Sequence, residues 1–462
     1  MRKTFAAIIV LGLVLGIGFI ALAWRSPIAP IARPDRQLFD QKIVKQGAEL
    51  AAVGNCITCH TAQGSRPLAG GLAIPTPFGT IYSTNITPDE ETGIGRWSED
   101  AFRRALQEGV DRQGRHLYPA FPYDHFTLVT DTDVKALYAY FMTREPTSAA
   151  VPANELVFPL NIRMFVAGWK LLFFRQGRYQ PDPAQSEDWN RGAYLVEGLA
   201  HCGACHTPRN ALGAEKKNDA FAGGDAEGWT AYALNKASPA PVPWDSSGLF
   251  PYLRDGWHAA HGIARGPMAE VIDNLASATE PDVRAITTYL AGIFGQPTEE
   301  RRRAAQALIE RAHTAGPGAK PASADTQTTG QSGSQAKGAG IYQAACANCH
   351  ESGRPLPFGG INLALSTGPS GPNARNVINV VLWGLPPAEG ERSPIMPGFA
   401  GSLNDEQLTE LLNYVRSHFS NKPPWSGIEK DIRDAKTGNR PVMVHPPHGF
   451  DPADTSQYEA QR

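Results

Sequence analysis

The sequence is poor in sulfur and has no excess of either charge. Its 462 residues include six cysteines and six methionines, and 43 basic residues nearly balance 45 acidic ones, leaving a net charge of −2. This balance excludes a polycationic nucleic-acid binder, so we expect no nucleic-acid partner. With 42% apolar residues, the chain also falls outside the low-hydrophobicity, highly charged class of disordered proteins. Its length leaves room for about three domains.

Motifs that handle organic substrates are also missing. We find no G-x-G-x-x-G dinucleotide fingerprint, no Walker loop and no H-E-x-x-H metal motif in the chain. The sequence therefore predicts no catalytic residue, and any organic chemistry is expected on a partner.

The few cysteines all belong to one repeated motif. Each of three C-x-x-C pairs is followed at once by a histidine, a pattern typical of covalent c-type haem attachment, in which two thioether bonds hold the porphyrin and the histidine binds iron. The expected attachment residues are Cys56, Cys59, Cys202, Cys205, Cys346 and Cys349, and the expected iron ligands are His60, His206 and His350. We therefore predict three covalently bound c-type haems.

Other interpretations of spaced cysteines fit less well. A thioredoxin-like C-x-x-C usually occurs once and in a βαβ context. Zinc sites usually combine paired half-sites, and here the three motifs stand some 145 residues apart. Disulfides of two-residue spacing would be strained and would leave the histidines unexplained.

The N-terminus carries the longest apolar run of the chain. Residues Phe5 to Trp24 form 20 uncharged positions after Arg2 and Lys3, which is enough to span a bilayer. We predict that residues 1–25 are a membrane anchor. A cleaved signal peptide remains the alternative, because Ala21-Leu22-Ala23 is similar to a cleavage site. Both alternatives place the remainder at the periplasmic face of a bacterial inner membrane.

A threefold repeat organises the rest of the chain. Each unit has a helix with an early glycine, then the haem motif, a long loop and a capped amphipathic closing helix. The early glycines are Gly47, Gly192 and Gly338, the caps are Thr130, Thr279 and Asn404, and Tyr140, Tyr289 and Tyr414 each follow their cap by ten positions. We predict domains at 37–148, 185–297 and 338–420, a connector at 149–184, a flexible linker at 314–337 and an extended tail at 421–462.

Methionines are the expected sixth ligands of two irons. Met268 and Met396 each lie in a proline-containing loop before the closing helix of their unit. The first unit has Phe121 at the matching position, and a phenylalanine cannot bind iron. His125 is the favoured substitute and Met142 the alternative, while an open sixth position would allow small ligands to bind.

Two further segments have open interpretations. Leu156 to Tyr179 is apolar with interspersed basic residues, and it is either a buried connector or a surface for a partner subunit or the membrane interface. Ser83, Thr84 and Asn85 either donate hydrogen bonds to haem propionates or form a plain turn.

These motifs resemble the triheme, membrane-anchored cytochrome c subunits of bacterial periplasmic dehydrogenases. The similarity runs from about Gln46 to His418 and includes Gly70-Gly71-Leu-Ala-Ile-Pro-Thr-Pro-Phe-Gly79 and Leu117-Tyr-Pro-Ala-Phe-Pro-Tyr123. It implies an all-α fold of three tandem class I cytochrome c domains with long loops. It also implies a large molybdopterin or quinoprotein catalytic subunit, often a small iron–sulfur subunit, and ubiquinone or an oxidase as acceptor. Phe121 and the residues after it are more similar to the branch that serves molybdenum hydroxylases.

The expected function is therefore one-electron transfer from a periplasmic dehydrogenase to the respiratory chain. Two alternatives stay open: a multihaem peroxidase with a five-coordinate iron in the first domain, and an electron-delivery subunit of a terminal oxidase.

Overall fold

The computed structural model describes residues 2–314, 333–354, 359–385 and 395–438. They are mainly helical, but they include one three-stranded and two two-stranded antiparallel sheets, so the all-α prediction is wrong in part. Most of the strands lie in the loops that follow the first two haem motifs, where short runs of extended residues meet at tight turns. In the first of these turns, the Thr76 hydroxyl accepts a hydrogen bond from the Phe78 N–H at 3.1 Å and so closes the hairpin.

Two compact units divide the chain. The first contains residues 2–202 and 277–282, and the second contains the other described residues. The helices of the first unit are α1 (Arg2–Ala23), α2 (Gln41–Val53), α3 (Cys56–Cys59), α4 (Glu99–Glu108), α5 (Tyr123–Phe126), α6 (Asp131–Met142), α7 (Val166–Phe173) and α8 (Glu187–Tyr194), and its strands are β1 (Ala73–Thr76), β2 (Gly79–Tyr82) and β3 (Glu155–Leu156). A π-helical turn, Leu195–Leu199, follows α8.

The second unit holds the remaining elements. Its first helices and strands are α9 (Gly203–His206), β4 (Gly224–Ala226), β5 (Trp229–Ala231), α10 (Ser246–Asp255), β6 (Trp257–His258), β7 (Gly262–Ile263) and α11 (Pro267–Ala276). The others are α12 (Glu280–Phe294, whose first turn belongs to the first unit), α13 (Glu299–Thr314), α14 (Gly333–Ala345), α15 (Ala347–His350), α16 (Thr367–Ser370), α17 (Arg375–Trp383), α18 (Asp405–Phe419) and α19 (Ile428–Thr437).

The predicted caps of the closing helices are confirmed. The Thr130 hydroxyl accepts from the Asp133 N–H at 3.2 Å, and the Thr279 hydroxyl accepts from the Asp282 N–H at 3.3 Å. Asn404 forms a full capping box with Gln407, with distances of 2.8 and 3.0 Å. Each cap satisfies N–H groups that the first turn of a helix leaves unpaired, and so fixes where α6, α12 and α18 begin.

A charged cluster joins the first two repeats inside the first unit. The Arg191 guanidinium donates to both carboxylate oxygens of Asp282 at 2.7 and 3.0 Å, and lies 3.8 Å from Asp133. The Tyr194 hydroxyl donates to Asp133 at 2.6 Å. Both aspartates follow a cap by three positions, so the capped ends of two closing helices meet the same helix, α8.

Segments outside the repeats differ from the predictions. The tail is not extended throughout, because residues 428–437 form α19, and Ile428 and Ile432, one turn apart, pack into the core of the third repeat. The predicted linker ends earlier than expected, since α14 begins at Gly333. Residues 315–332 and 439–462, which hold the rest of the linker and of the tail, lie outside the described residues.

The membrane prediction rests on α1. In the part of the chain that the structure describes, Lys3–Ala23 is the single helix long and apolar enough to cross a membrane.

The connector that follows the first domain pairs with a strand of that domain. Its strand β3 is antiparallel to β2, with Gly79 opposite Leu156 and Thr80 opposite Glu155.

Candidate haem-binding sites

A short helical turn accompanies each pair of cysteines, and α9 and α15 begin one residue after Cys202 and Cys346. Cys56 and Cys59 begin and end α3, and a left-handed residue, Asn55 with φ 53°, sets the start of that turn. His201, with φ 40°, precedes Cys202 in the same way. Residues three apart on a helix share one face, so the sulfurs of Cys56 and Cys59 point to one side. No disulfide joins any of the six cysteines, all of which the structure describes, and the second cysteine of each pair is exposed.

The three motif histidines are held in one common way. The carbonyl oxygens of Thr84, Tyr232 and Ile361 lie 2.6, 2.6 and 2.7 Å from the Nδ1 atoms of His60, His206 and His350, respectively. A carbonyl can only accept, so each Nδ1 carries the proton and donates it. In a neutral imidazole the lone pair then resides on Nε2, which is the atom that binds a metal.

The surroundings of these rings favour the neutral form. Burial lowers the pKa of His60, His206 and His350, and the hydrogen bond to the carbonyl opposes this only in part. Neutral imidazole is the form that ligates iron. The lowered pKa values and the hydrogen bonds at Nδ1 therefore both favour a ring whose Nε2 atom can bind the metal.

Local folding explains how the carbonyls reach the rings. The Gly70 N–H donates to the carbonyl of His60 at 2.7 Å, and the Gly223 N–H donates to that of His206 at 2.8 Å. From there the chain forms the hairpins β1–β2 and β4–β5, which return it to Thr84 and Tyr232. In the third repeat the loop is short, and Ile361 follows directly after Gly360, whose N–H donates to the carbonyl of Cys349 at 2.9 Å.

The donor sets fit a covalently held haem. Every motif offers two thiols three positions apart and one neutral imidazole whose ligating nitrogen is set by a backbone carbonyl, which is the donor set of a c-type site. In the second repeat, Trp229 Nε1 and Arg265 Nε are buried and have no hydrogen-bond partner among the described residues. The Trp229 indole occupies the space that a Cβ on Gly266 would need. Gly266 precedes Met268 by two positions, so the indole lies close to the loop of the predicted methionine ligand. Buried N–H groups without a partner at this position fit the propionate groups of a porphyrin, which accept hydrogen bonds.

The two predicted methionine ligands lie in ordered surroundings. Met268 is half-buried in the first turn of α11. Met396 exchanges both backbone hydrogen bonds with Leu385, at 2.8 and 3.0 Å, and packs against the core of the third repeat. Their role as iron ligands stays a prediction.

The first repeat contains a fourth histidine of the same kind. His125 lies in α5, its ring is buried, and the carbonyl oxygen of Glu197 is 2.6 Å from its Nδ1. Met142, the alternative ligand, is the last residue of α6 and only 2% exposed. The Phe121 ring packs on Phe126 with centroids 5.2 Å apart. The Nδ1 contact of His125 is like that of the motif histidines, and His125 as the sixth ligand, with Met142 as the alternative, stays a prediction.

The side chain of Asn85, one of the three possible propionate donors, forms hydrogen bonds within its own loop. Both amide hydrogens of Asn85 are used inside the loop, donating to the Thr92 hydroxyl at 2.9 Å and the Thr147 carbonyl at 2.7 Å. Its Oδ1 accepts from the Thr87 N–H at 2.9 Å. Asn85 therefore organises the loop, and the turn interpretation is the right one for this residue.

Comparison with known proteins agrees with this geometry. Residues 44–145 match the family model described as "Cytochrome c", and residues 333–415 match "Cytochrome C oxidase, cbb3-type, subunit III". The chain is 37% identical to the fructose dehydrogenase cytochrome subunit of Gluconobacter japonicus, covering 87% of this chain and 84% of the relative. It is 36% identical to the gluconate 2-dehydrogenase cytochrome c subunit of Pantoea cypripedii, covering 94% and 96%.

A third relative is much longer than this chain. It is a nicotinate dehydrogenase subunit of Pseudomonas putida, 44% identical over 423 residues, which are 91% of this chain. The chain spans about a third, 34%, of that relative's length.

Proposed function

Because the chain belongs to the family of cytochrome c subunits of bacterial dehydrogenases, we propose that it carries electrons through three c-type haems from a dehydrogenase to ubiquinone in the inner membrane. The observation that supports this most is the repeated imidazole arrangement at His60, His206 and His350, each of which follows a pair of cysteines that forms no disulfide. Three such sites, and the absence of a predicted catalytic residue, favour an electron carrier over an enzyme.

The chain's own residues set the properties of each site. When bound, haem iron supplies a one-electron couple, with covalent attachment at the paired cysteines and a histidine ligand. The carbonyls of Thr84, Tyr232 and Ile361 orient the rings and hold a proton on Nδ1, which increases the basicity of the ligating nitrogen. Met268 and Met396, as sixth ligands, would raise the potential of their sites relative to a second histidine.

The second and third sites are linked within the second unit. The Thr230 N–H and carbonyl exchange hydrogen bonds with the Asn376 side chain at 2.8 and 2.9 Å, and Thr230 precedes Tyr232 by two positions. The loop that holds His206 is thereby fastened to α17 of the third repeat. This contact between the two repeats supports electron transfer between these two sites.

The first site shares a compact unit with the membrane helix. The loop that holds His60 and the helix α1 both belong to the first unit. This supports electron delivery from the first repeat to an acceptor in the bilayer, for which we propose ubiquinone.

The identity to the nicotinate dehydrogenase subunit supports a particular partner class. We propose a large molybdopterin-containing catalytic subunit that oxidises an aldehyde or an N-heterocycle, together with a small iron–sulfur subunit. A quinoprotein catalytic subunit is the alternative. Delivery to a terminal oxidase is the second candidate function, favoured by the match of residues 333–415 to an oxidase subunit model.

The haem count is tested on the full-length protein. We expect a pyridine haemochrome assay and the intact mass to give three covalent haems per chain. A paired substitution, Cys346→Ser with Cys349→Ser, is expected to leave two. A protein of the bare polypeptide mass would overturn the proposal.

The partner and acceptor are tested on native membranes. Purification of the tagged chain should recover a molybdopterin-containing subunit, and added substrate of that subunit should reduce the haems, which a short-chain ubiquinone then reoxidises. Recovery of oxidase subunits instead would favour the second candidate. Rapid peroxide reduction by the isolated chain would favour the peroxidase.

A further inference from the structure

An apolar surface lies on the connector after the first domain. We name as the connector face the exposed side chains of Val157, Phe158, Leu160, Ile162, Met164, Phe165, Leu171 and Leu172. Phe158 alone is 79% exposed. Eight exposed apolar side chains within 16 residues are typical of a contact with a partner or a membrane.

Charged side chains of the same segment point away from this face. Between 157 and 172 the charged residues are Arg163 and Lys170. The Lys170 ammonium is buried and donates to the carbonyls of Glu108 and Gly109 at 2.7 and 2.6 Å. The Arg163 guanidinium donates to the His116 carbonyl at 3.2 Å. The segment is therefore apolar outside and charged inside, which is the reverse of a water-facing surface.

The connector face is continuous with the membrane helix. The ring of Phe19 in α1 stacks on Phe165 with centroids 5.8 Å apart, and it lies 3.8 Å from where a Cβ on Gly168 would be. Phe19 precedes Trp24, the end of the apolar run, by five positions, which is about 7.5 Å along a helix. Phe165 thus meets α1 within its apolar length.

Hydrogen bonds fasten the end of α1 to the first domain. His116 Nε2 lies 2.8 Å from the Ala23 carbonyl, the Arg104 guanidinium donates to the Ser26 carbonyl at 2.7 Å, and the Ile28 N–H donates to the Arg112 carbonyl at 2.8 Å. The depth of α1 in a bilayer therefore sets the depth of the connector face. Cleavage after Ala23 would cut the chain at a residue that is 4% exposed and bonded to a buried histidine.

We propose that α1 stays attached and that the connector face is embedded among lipid acyl chains in the periplasmic leaflet of the same bilayer. Its occupant is lipid, because the face continues the lipid-facing surface of α1 at the same depth and carries no outward charge. The first domain would then rest on the membrane by two contacts, a spanning helix and a monotopic surface.

Photolabelling of the full-length holoprotein tests this directly. The protein is reconstituted in vesicles of phosphatidylethanolamine and phosphatidylglycerol, labelled with an apolar diazirine and mapped by mass spectrometry. We expect α1 and residues 157–172 to take up at least tenfold more label than the peptide around Leu38. That side chain is 80% exposed, so it is an internal control for exposure to water.

Matched variants separate lipid contact from simple exposure. Phe158→Asp with Leu172→Asp should lower labelling of 157–172 several-fold and leave α1 labelled, while Leu38→Asp should change neither. Equal labelling of the Leu38 peptide and 157–172 would overturn the proposal. So would loss of the 157–172 label when the catalytic subunit is bound, which would identify a subunit interface. An N-terminus that begins after Ala23 in the mature protein would exclude the attached helix.

Discussion

Gly338 of α14 lies directly against Tyr414 of α18. A Cβ on Gly338 would stand 2.9 Å from the Tyr414 Cβ and 2.2 Å from the Glu410 carbonyl oxygen. The same relationship recurs in the first repeat, where a Cβ on Gly47 would be 2.7 Å from the Tyr140 Cβ. In both repeats the first and closing helices therefore cross in backbone contact, and only glycine permits that approach.

Replacing Gly338 with alanine should loosen this crossing. Because the added carbon meets a backbone oxygen that cannot rotate away, the helices must separate, and we expect Gly338→Ala to lower the free energy of unfolding by about 1–3 kcal/mol. Guanidinium unfolding followed by circular dichroism measures the change.

Gly340 offers the matched control. It lies in the same helix with nothing within 4 Å of an added Cβ. Gly340→Ala should stabilise the protein by up to about 1 kcal/mol through helix propensity. Equal destabilisation by both substitutions would show that the close contact between α14 and α18 at Gly338 is not the cause.

The features that could be predicted from the sequence are those defined by residues only a few positions apart. The cysteine pairs, the motif histidines and the caps Thr130 and Asn404 are set within a few residues, so the sequence displays them. The carbonyls of Thr84 and Tyr232 could not be predicted, because every residue has a carbonyl and no side chain marks the one that is used.

Two fold features were missed for different reasons. The helix α19 has an apolar pair one turn apart, but the prolines on both sides of it in the sequence favoured an extended interpretation. The small sheets were missed because their strands are only two to four residues long, too short for a clear alternation of side chains.

A change of sixth ligand should alter one potential at a time. If Met268 binds iron, Met268→His should lower the midpoint potential of one haem by on the order of 100 mV, within the ~0.8 V range that axial ligands span. Met396→His should act on a different haem. Spectroelectrochemical titration of the full-length protein measures both.

A methionine away from the sites provides the comparison. Met164→His, on the connector face, should leave all three potentials unchanged. If it lowers one as much as Met268→His does, the shift does not report ligation.

The buried ammonium of Lys170 should make the stability of the first domain depend on pH. Burial is the main cause that lowers the pKa of Lys170, to about 7, with Arg25 acting in the same direction and Glu108 opposing. In the unfolded chain lysine holds its proton to about pH 10.4, so between about pH 7 and 10 the unfolded state binds more protons. Stability should therefore rise with pH over that range, by at most about 1.4 kcal/mol per pH unit.

Denaturant unfolding in detergent at several pH values tests this dependence. Lys170→Met should abolish the slope, although it also leaves two carbonyls without a donor and lowers stability at every pH. Lys135→Met, at an exposed position of α6, should keep the slope. A slope that survives Lys170→Met would assign it to another group.

His125, whose Nδ1 atom contacts the Glu197 carbonyl, is expected to occupy the sixth coordination position of the first iron. If His125 is the sixth ligand, the reduced protein binds no carbon monoxide, and His125→Ala opens one haem of three to it, because alanine cannot ligate iron. Met142→Leu keeps the core volume and should leave the spectrum unchanged. Carbon monoxide difference spectra distinguish the cases: binding opened by Met142→Leu alone would make the methionine the ligand, and binding by the unaltered protein would show a five-coordinate iron and favour the peroxidase.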